Sequence, residues 1–151
     1  LVVVGPGPGT GTRVKGAFSI AVVGEDGQEL QRARPGDRVG IAVGAAGRAQ
    51  VLVLAMDDHG AVEVLWPVEG KESGAAPPGA RAVLGTSFDV TPGSLALYAL
   101  FGNAPISAAE AQAALKSEVT TAAREGRGPL EAQAPRGPWE GAAKIVVQVA
   151  P

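Results

Sequence analysis

The only histidine of this 151-residue chain lies in the segment Asp57-Asp58-His59-Gly60, between two apolar runs. An imidazole beside two carboxylates can in principle act as a catalytic base or bind a metal ion. However, a single histidine excludes a multi-histidine metal site, and the sequence has no GxSxG motif to supply a nucleophile. A calcium loop would need further oxygen ligands after Asp58. Asp and Gly between apolar runs are also typical of a tight turn. We therefore predict a solvated turn with no catalytic or metal-binding residue.

Arg32, Arg34 and Arg38 form a small basic cluster around Pro35-Gly36-Asp37. Guanidinium groups can bind a carboxylate or a phosphate, so this cluster is a candidate anion site. Arginines that flank a turn are more often solvated, and both interpretations stay open.

Trp66, which precedes Pro67, and Trp139 are large amphipathic side chains beside predicted loops. Each could line a ligand groove or plug the rim of a β-sandwich. Together with the three arginines they are the candidate contacts for a ligand or partner.

Several other chemistries are excluded by composition. The chain has no cysteine, so disulfides, thiolate metal sites and cysteine nucleophiles are impossible. The glycine-rich run at residues 5–11 lacks the Gly-Lys-Ser/Thr ending of a phosphate loop. The 13 basic and 15 acidic residues are scattered and form no basic stripe, which argues against nucleic acid as a partner. We expect no cofactor.

Short apolar runs separated by turn residues predict an antiparallel β structure. Phe18, Ile20 and Val22 alternate with small residues, whereas Gln50–Met56 is apolar on both faces and predicts a central strand covered on both sides. Val62–Trp66 returns from the 57–60 turn as a hairpin. The predicted strands are at about 17–22, 39–43, 50–56, 62–66, 82–90, 94–102 and 143–150. Residues 67–79 and 126–141 are rich in Pro and Gly and predict a surface loop and a linker.

One segment has a helical pattern. Ser107 and Glu110 have the spacing of a capping box, Ala111, Leu115 and Val119 follow at helical intervals, and Gly126 is a suitable stop. The predicted fold is therefore an all-β antiparallel sandwich, Ig-like or related, with one appended α-helix near residues 107–125.

The length suits one domain. We expect residues 14–151 to form a single β-sandwich domain that includes the helix and the C-terminal strand 143–150. Residues 1–13 are expected to be a flexible leader or the stub of a removed membrane span, since the chain begins at Leu1 and continues into a Gly/Pro run. Leu1–Val4 could also be simply a first strand or a loose end. No apolar run in the sequence approaches the roughly 20 residues that span a bilayer, so membrane contact would require a span outside this sequence.

The region from about Val14 to Gly102, about 60% of the chain, contains several short motifs that are informative as a set. They are Lys15-Gly16, Pro35-Gly36-Asp37, QVLVLAMDDHGAVEVLWP at 50–67, Phe88-Asp89, Thr91-Pro92-Gly93 and Leu97–Phe101. In these features the region resembles an uncharacterised bacterial domain family. It departs from the family where Ser94-Leu95 replaces an expected acidic residue.

That family is often found on the extracytoplasmic side of a single membrane span, in anti-sigma factor-like proteins, and beside caspase-like proteases. The resemblance implies no active site. It implies an extracytoplasmic location, periplasmic or in the cell envelope, and a sensory or binding role.

From these observations we expect a non-catalytic, monomeric binding or sensory domain whose partner is a protein or a small ligand. The alternative is a structural or assembly module in which an edge strand, such as Lys144–Val149 or Leu1–Val4, pairs with a neighbouring chain.

Overall fold

The computed structural model describes residues 2–4, 18–30, 33–68, 70–79, 81–90 and 93–148. Nine strands and one α-helix follow one another in these ranges, with a short 3₁₀ helix at Pro129–Glu131. The strands are β1 (Val2–Val4), β2 (Ser19–Val23), β3 (Arg38–Gly44), β4 (Gln50–Asp57), β5 (Val62–Trp66), β6 (Gly74–Ala75), β7 (Ala82–Asp89), β8 (Leu95–Gly102) and β9 (Gly141–Gln148). The helix α1 spans Ala108–Arg124.

The strands form two antiparallel sheets. The larger sheet has the order β1-β9-β8-β4-β5, with β6 paired to β4 beside β5, and the smaller sheet has the order β2-β3-β7. The prediction of an all-β antiparallel sandwich with one appended helix is confirmed. Of the expected leader, residues 1–13, the structure describes only β1, which pairs with β9.

Strand β4 is buried on both faces, as its continuous apolar sequence predicts. Val51, Val53 and Ala55 point into the core between the two sheets, whereas the alternate residues point into a second core on the opposite face. That second core is covered by α1 and by the segment that follows it. The larger sheet is therefore the middle of three layers.

Helix α1 begins and ends where its sequence predicts. The Ser107 hydroxyl accepts a hydrogen bond from the Glu110 amide at 3.2 Å. At the other end Gly126 has a φ of 79°, and the Arg127 amide donates to the Ala122 carbonyl at 2.8 Å, as in a Schellman motif. The buried face contains three alanines and Leu115, which allows the helix to lie close against the sheet.

Strand β9 lies inside the larger sheet. It pairs with β8 along its length, and its last three residues, 146–148, also pair with β1 on the other side. This confirms that the C-terminal strand pairs within its own sheet. The observed strand is shifted slightly from the predicted 143–150, and Val149 lies outside the described residues.

Two segments predicted as loop and linker are more ordered than their composition suggests. In the 67–79 loop, β6 pairs with β4, and the Ser73 hydroxyl donates to Gln50 Oε1 at 2.7 Å and accepts from the Ile106 amide at 2.8 Å. In the 126–141 linker, Ala132 and Trp139 are buried in the core beneath α1. These segments cover apolar surface that the sheet alone would leave in water.

Among the described residues, no helix has both the length and the apolar composition that crossing a bilayer requires.

Candidate binding site between the sheets

A cleft of about 430 Å³ opens between the two sheets at one end of the sandwich. This is the end where β4 and β7 finish and β5 and β8 begin. Its walls are apolar and come from both sheets: Val22, Ala33, Val39, Phe88 and Val90 on one side, and Ala55, Leu65, Leu95 and Val147 on the other. A volume of this size lies within the usual range of small-molecule sites, roughly 300–1,000 Å³.

Part of the apolar lining of the cleft is exposed. Leu65, Phe88 and Leu95 are each only partly buried, whereas the deeper wall residues Val22 and Val39 are almost completely buried. Leu65 lies on β5, an edge strand of the larger sheet, and Phe88 lies on β7, an edge strand of the smaller one. A molecule entering the cleft would therefore meet apolar side chains from both sheets.

The turn between β4 and β5 forms part of the mouth. Asp57 Oδ1 accepts hydrogen bonds from the amides of His59 (2.9 Å) and Ala61 (3.0 Å), and Gly60 adopts a φ of 90°. The pKa of the Asp57 carboxyl is lowered, chiefly by the hydrogen bond from Ala61 and next by that from His59. The sequence prediction of a tight, exposed turn joining two antiparallel strands is confirmed.

Asp58 and His59 form a second contact in this turn, with His59 Nδ1 2.9 Å from Asp58 Oδ1. The His59 side chain is 88% exposed. Asp57, Asp58 and His59 can bring one ligand atom each within 4.8 Å of one another. Since Asp57 Oδ1 already binds two amides, this cluster is accounted for as a turn, and we assign no metal to it.

The mouth of the cleft is acidic. Asp57, Asp58, Glu63 and Asp89 contribute carboxylates, and no Lys or Arg is among the described residues that line the cleft. From outside, Arg38 Nη1 lies 3.0 Å from Asp89 Oδ1. Within the described part of the chain, Glu63 has no ion-pair partner.

None of the four candidate contacts that the structure describes lines this cleft. Arg38 reaches its edge through Asp89, Arg34 is exposed in the turn before β3, and Arg32 lies outside the described residues. Trp66, at the far end of β5, packs against Gly74. Trp139 is 9% exposed in the core beneath α1, and its indole Nε1 donates to the Pro135 carbonyl at 3.0 Å.

Leu65, Phe88 and Leu95 were not among those candidates. Each lies near the start or end of a strand, beside a predicted turn, but an apolar strand residue gives no local sign of lining a cleft. Their convergence depends on the chain crossing between sheets from β7 to β8. At that crossing Gly93 has a φ of 106° and approaches Asp58: a Cβ at Gly93 would be 3.9 Å from Asp58 Oδ2.

Two polar side chains, those of Tyr98 and Lys144, are buried on the opposite face of the larger sheet. The Tyr98 hydroxyl donates to the Ala132 carbonyl at 2.8 Å, and Lys144 Nζ donates to the carbonyls of Leu130 and Ala132 at 2.7 Å each. The ammonium also lies 5.5 Å from the centre of the Tyr98 ring. These bonds attach the 3₁₀ segment to the sheet, and they involve no surface that faces the cleft.

Burial alters the acidity of both groups. It raises the pKa of Tyr98, and the charge of Glu118 raises it further. Burial lowers the pKa of Lys144, and the charge of Arg127 adds to that effect while Glu131 opposes it.

No protein-family model, curated protein or solved structure matches this chain.

Proposed function

We propose that this chain is a non-catalytic binding domain that holds the apolar part of a small ligand in the cleft between its sheets. The observation that carries the proposal is the cleft itself, about 430 Å³ in volume, with apolar walls from both sheets that include the partly exposed Leu65, Phe88 and Leu95. Placing an apolar group there removes both its surface and that of the walls from water.

We further propose that binding serves an extracytoplasmic sensory role, as in a membrane-anchored regulator of the anti-sigma factor type. What supports this is the resemblance of Val14–Gly102 to the bacterial domain family described above. In such a regulator, occupancy of the cleft would change how firmly the two sheets are held together at this end. A partner protein could respond to that change.

The binding proposal is tested with an uncharged fluorescent probe, N-phenyl-1-naphthylamine, whose emission rises in apolar surroundings. Leu65 and Val64 are neighbours on β5, but Leu65 faces the cleft whereas Val64 packs toward the core beneath α1. Leu65→Trp should fill part of the cleft, and Val64→Trp is the matched control on the opposite face. Circular dichroism must show that both variants are folded.

We expect saturable binding to the unaltered protein and an affinity at least about tenfold lower for Leu65→Trp, equivalent to about 1.4 kcal/mol. Val64→Trp should bind the probe as the unaltered protein does. Absence of saturable binding, or equal binding by the two variants, would contradict the proposal.

A further inference from the structure

We infer that the ligand of this cleft is a small cationic amphiphile: an apolar body that enters between the sheets and a single ammonium group that stays at the mouth. This inference rests on the proposed binding function and specifies the chemical class of the ligand. It follows from the contrast between an apolar interior and an acidic rim in one cavity.

Among the described residues, the rim carries more negative than positive charge. It is lined by four carboxylates, from Asp57, Asp58, Glu63 and Asp89. Two of them contact a basic side chain among the described residues: Asp89 contacts the Arg38 guanidinium, and Asp58 contacts the His59 imidazole. The carboxylate of Asp57 is held in its ionised form by two backbone amides. Glu63 has no ion-pair partner among the described residues. An arriving anion would be repelled by this rim, whereas a cation would be attracted.

The position of the charges favours an ammonium at the mouth and not inside. A cation moved into the apolar interior would lose its hydration without a charged partner there, because the buried residues that line the cleft are apolar. At the mouth the ammonium remains in contact with water while it lies near the carboxylates, and its apolar body alone is desolvated. The same arrangement penalises a carboxylate or phosphate on the ligand.

A metal ion does not fit the rim as well as an organic cation does. A hard divalent cation needs about six or more oxygen ligands in a compact shell. Here Asp57 Oδ1 is bound to two amides, Asp58 contacts His59 and Asp89 contacts Arg38. Nor would a metal ion use the apolar walls, which form most of the cleft.

The test compares n-octylammonium, n-octanol and n-octanoate, which have equal chain lengths and differ in the charge of the head group. Each dissociation constant is measured by isothermal titration calorimetry at neutral pH and low ionic strength. Exposed ion pairs contribute about 0.2–1 kcal/mol each, so two carboxylates near the head group should make octylammonium bind about two- to thirtyfold more tightly than octanol. Octanoate should bind more weakly than octanol. The preference for octylammonium should shrink at an ionic strength of about 0.5 M.

The double variant Asp58→Asn/Glu63→Gln removes two rim charges without changing side-chain size much. In it, the ratio of the octanol and octylammonium dissociation constants should fall toward one. Glu110→Gln is the matched control, because Glu110 is an exposed acid at the start of α1, beyond the opposite end of β8. It should leave the ratio unchanged.

Equal binding of the three compounds would overturn this inference and leave the proposed binding function standing. So would a preference for octylammonium that survives the double variant, or one that Glu110→Gln lowers equally. If neither the three compounds nor the uncharged probe binds, the inference and the proposed function both fail.

Discussion

Tyr98 offers a direct test of how the larger sheet is joined to the segment beneath α1. Its side chain is completely buried, and its hydroxyl donates to the Ala132 carbonyl at 2.8 Å. In Tyr98→Phe this carbonyl keeps the hydrogen bond from Lys144. The variant therefore loses one neutral hydrogen bond without leaving an unpaired acceptor, and its free energy of unfolding at neutral pH should fall by about 0.5–1.5 kcal/mol.

The effect of pH on the stability that Tyr98 contributes follows from the raised pKa of its phenol, which is due chiefly to burial. The unfolded chain loses the phenol proton near pH 10, while the folded protein still retains it. The stability that Tyr98 contributes is thus fully present below about pH 10 and decreases above it, by up to about 1.4 kcal/mol per pH unit. Accordingly, the advantage of the unaltered protein over Tyr98→Phe should disappear within about one pH unit above 10.

The contribution of Lys144 to the free energy of unfolding changes with pH in the opposite direction and over a lower pH range. Because burial lowers its pKa, its contribution to the free energy of unfolding rises with pH from its folded pKa up to about 10.4 and is constant above that. Lys144 is also present in both proteins. The difference between the unaltered protein and Tyr98→Phe above about pH 10.5 therefore isolates the phenol.

The assay is urea unfolding followed by circular dichroism at a series of pH values, together with the near-ultraviolet absorbance of tyrosinate. Tyr98 is the only tyrosine, so this absorbance reports one group. We expect tyrosinate to appear only as the protein unfolds. Ionisation near pH 10 with an unchanged circular dichroism spectrum would refute the buried, hydrogen-bonded placement of Tyr98.

Three further changes test other parts of the fold by denaturant or thermal unfolding. His59→Ala should alter the free energy of unfolding by less than about 0.5 kcal/mol, because the side chain is 88% exposed; a loss several times larger would contradict the solvated-turn assignment. Gly74→Ala should destabilise the protein by about 1–3 kcal/mol, because a methyl group there would lie 2.8 Å from the Trp66 ring; unchanged stability would show that the ring does not pack on this glycine. Deletion of Trp139–Pro151 removes β9 from between β1 and β8 and should cause unfolding or aggregation; a truncated chain that stays folded and monomeric in size-exclusion chromatography would contradict the pairing described here.

Features encoded by neighbouring residues could be predicted from the sequence. The Asp57–Gly60 turn depends on a side chain bonding to amides two and four residues away, and the start of α1 depends on Ser107 and the amide three residues later. Such local chemistry can be recognised without knowing the rest of the fold. The central position of β4 was also predictable, because both of its faces are apolar.

The composition of a segment was a poorer guide to its packing. Residues 126–141 contain the Pro and Gly of a linker, yet Tyr98 and Lys144 bind the Ala132 carbonyl and Trp139 is buried nearby. These contacts join positions that are about 10 to 35 residues apart. They arise from the order of the strands, which the sequence pattern did not specify.

The cleft could not be predicted from the sequence for the same reason. Residue type alone points to charged and aromatic side chains, which carry most recognisable chemistry, and so to Arg32, Arg34, Arg38, Trp66 and Trp139. The cleft instead uses ordinary strand residues such as Leu65, Phe88 and Leu95, which become neighbours because β7 and β8 belong to different sheets. A prediction of sheet order would have been needed to bring them together.

The central claim is that a ligand's apolar body lies between the two sheets, and intermolecular nuclear Overhauser effects test it most directly. With n-octylammonium bound to the unaltered protein, the account predicts contacts from its alkyl chain to the methyl groups of Leu65, Leu95 and Val147, which line the cleft. It predicts none to Leu115 or Leu130, which pack in the core beneath α1. Contacts confined to Leu115 and Leu130, or none to the three cleft residues at saturating ligand, would contradict the account.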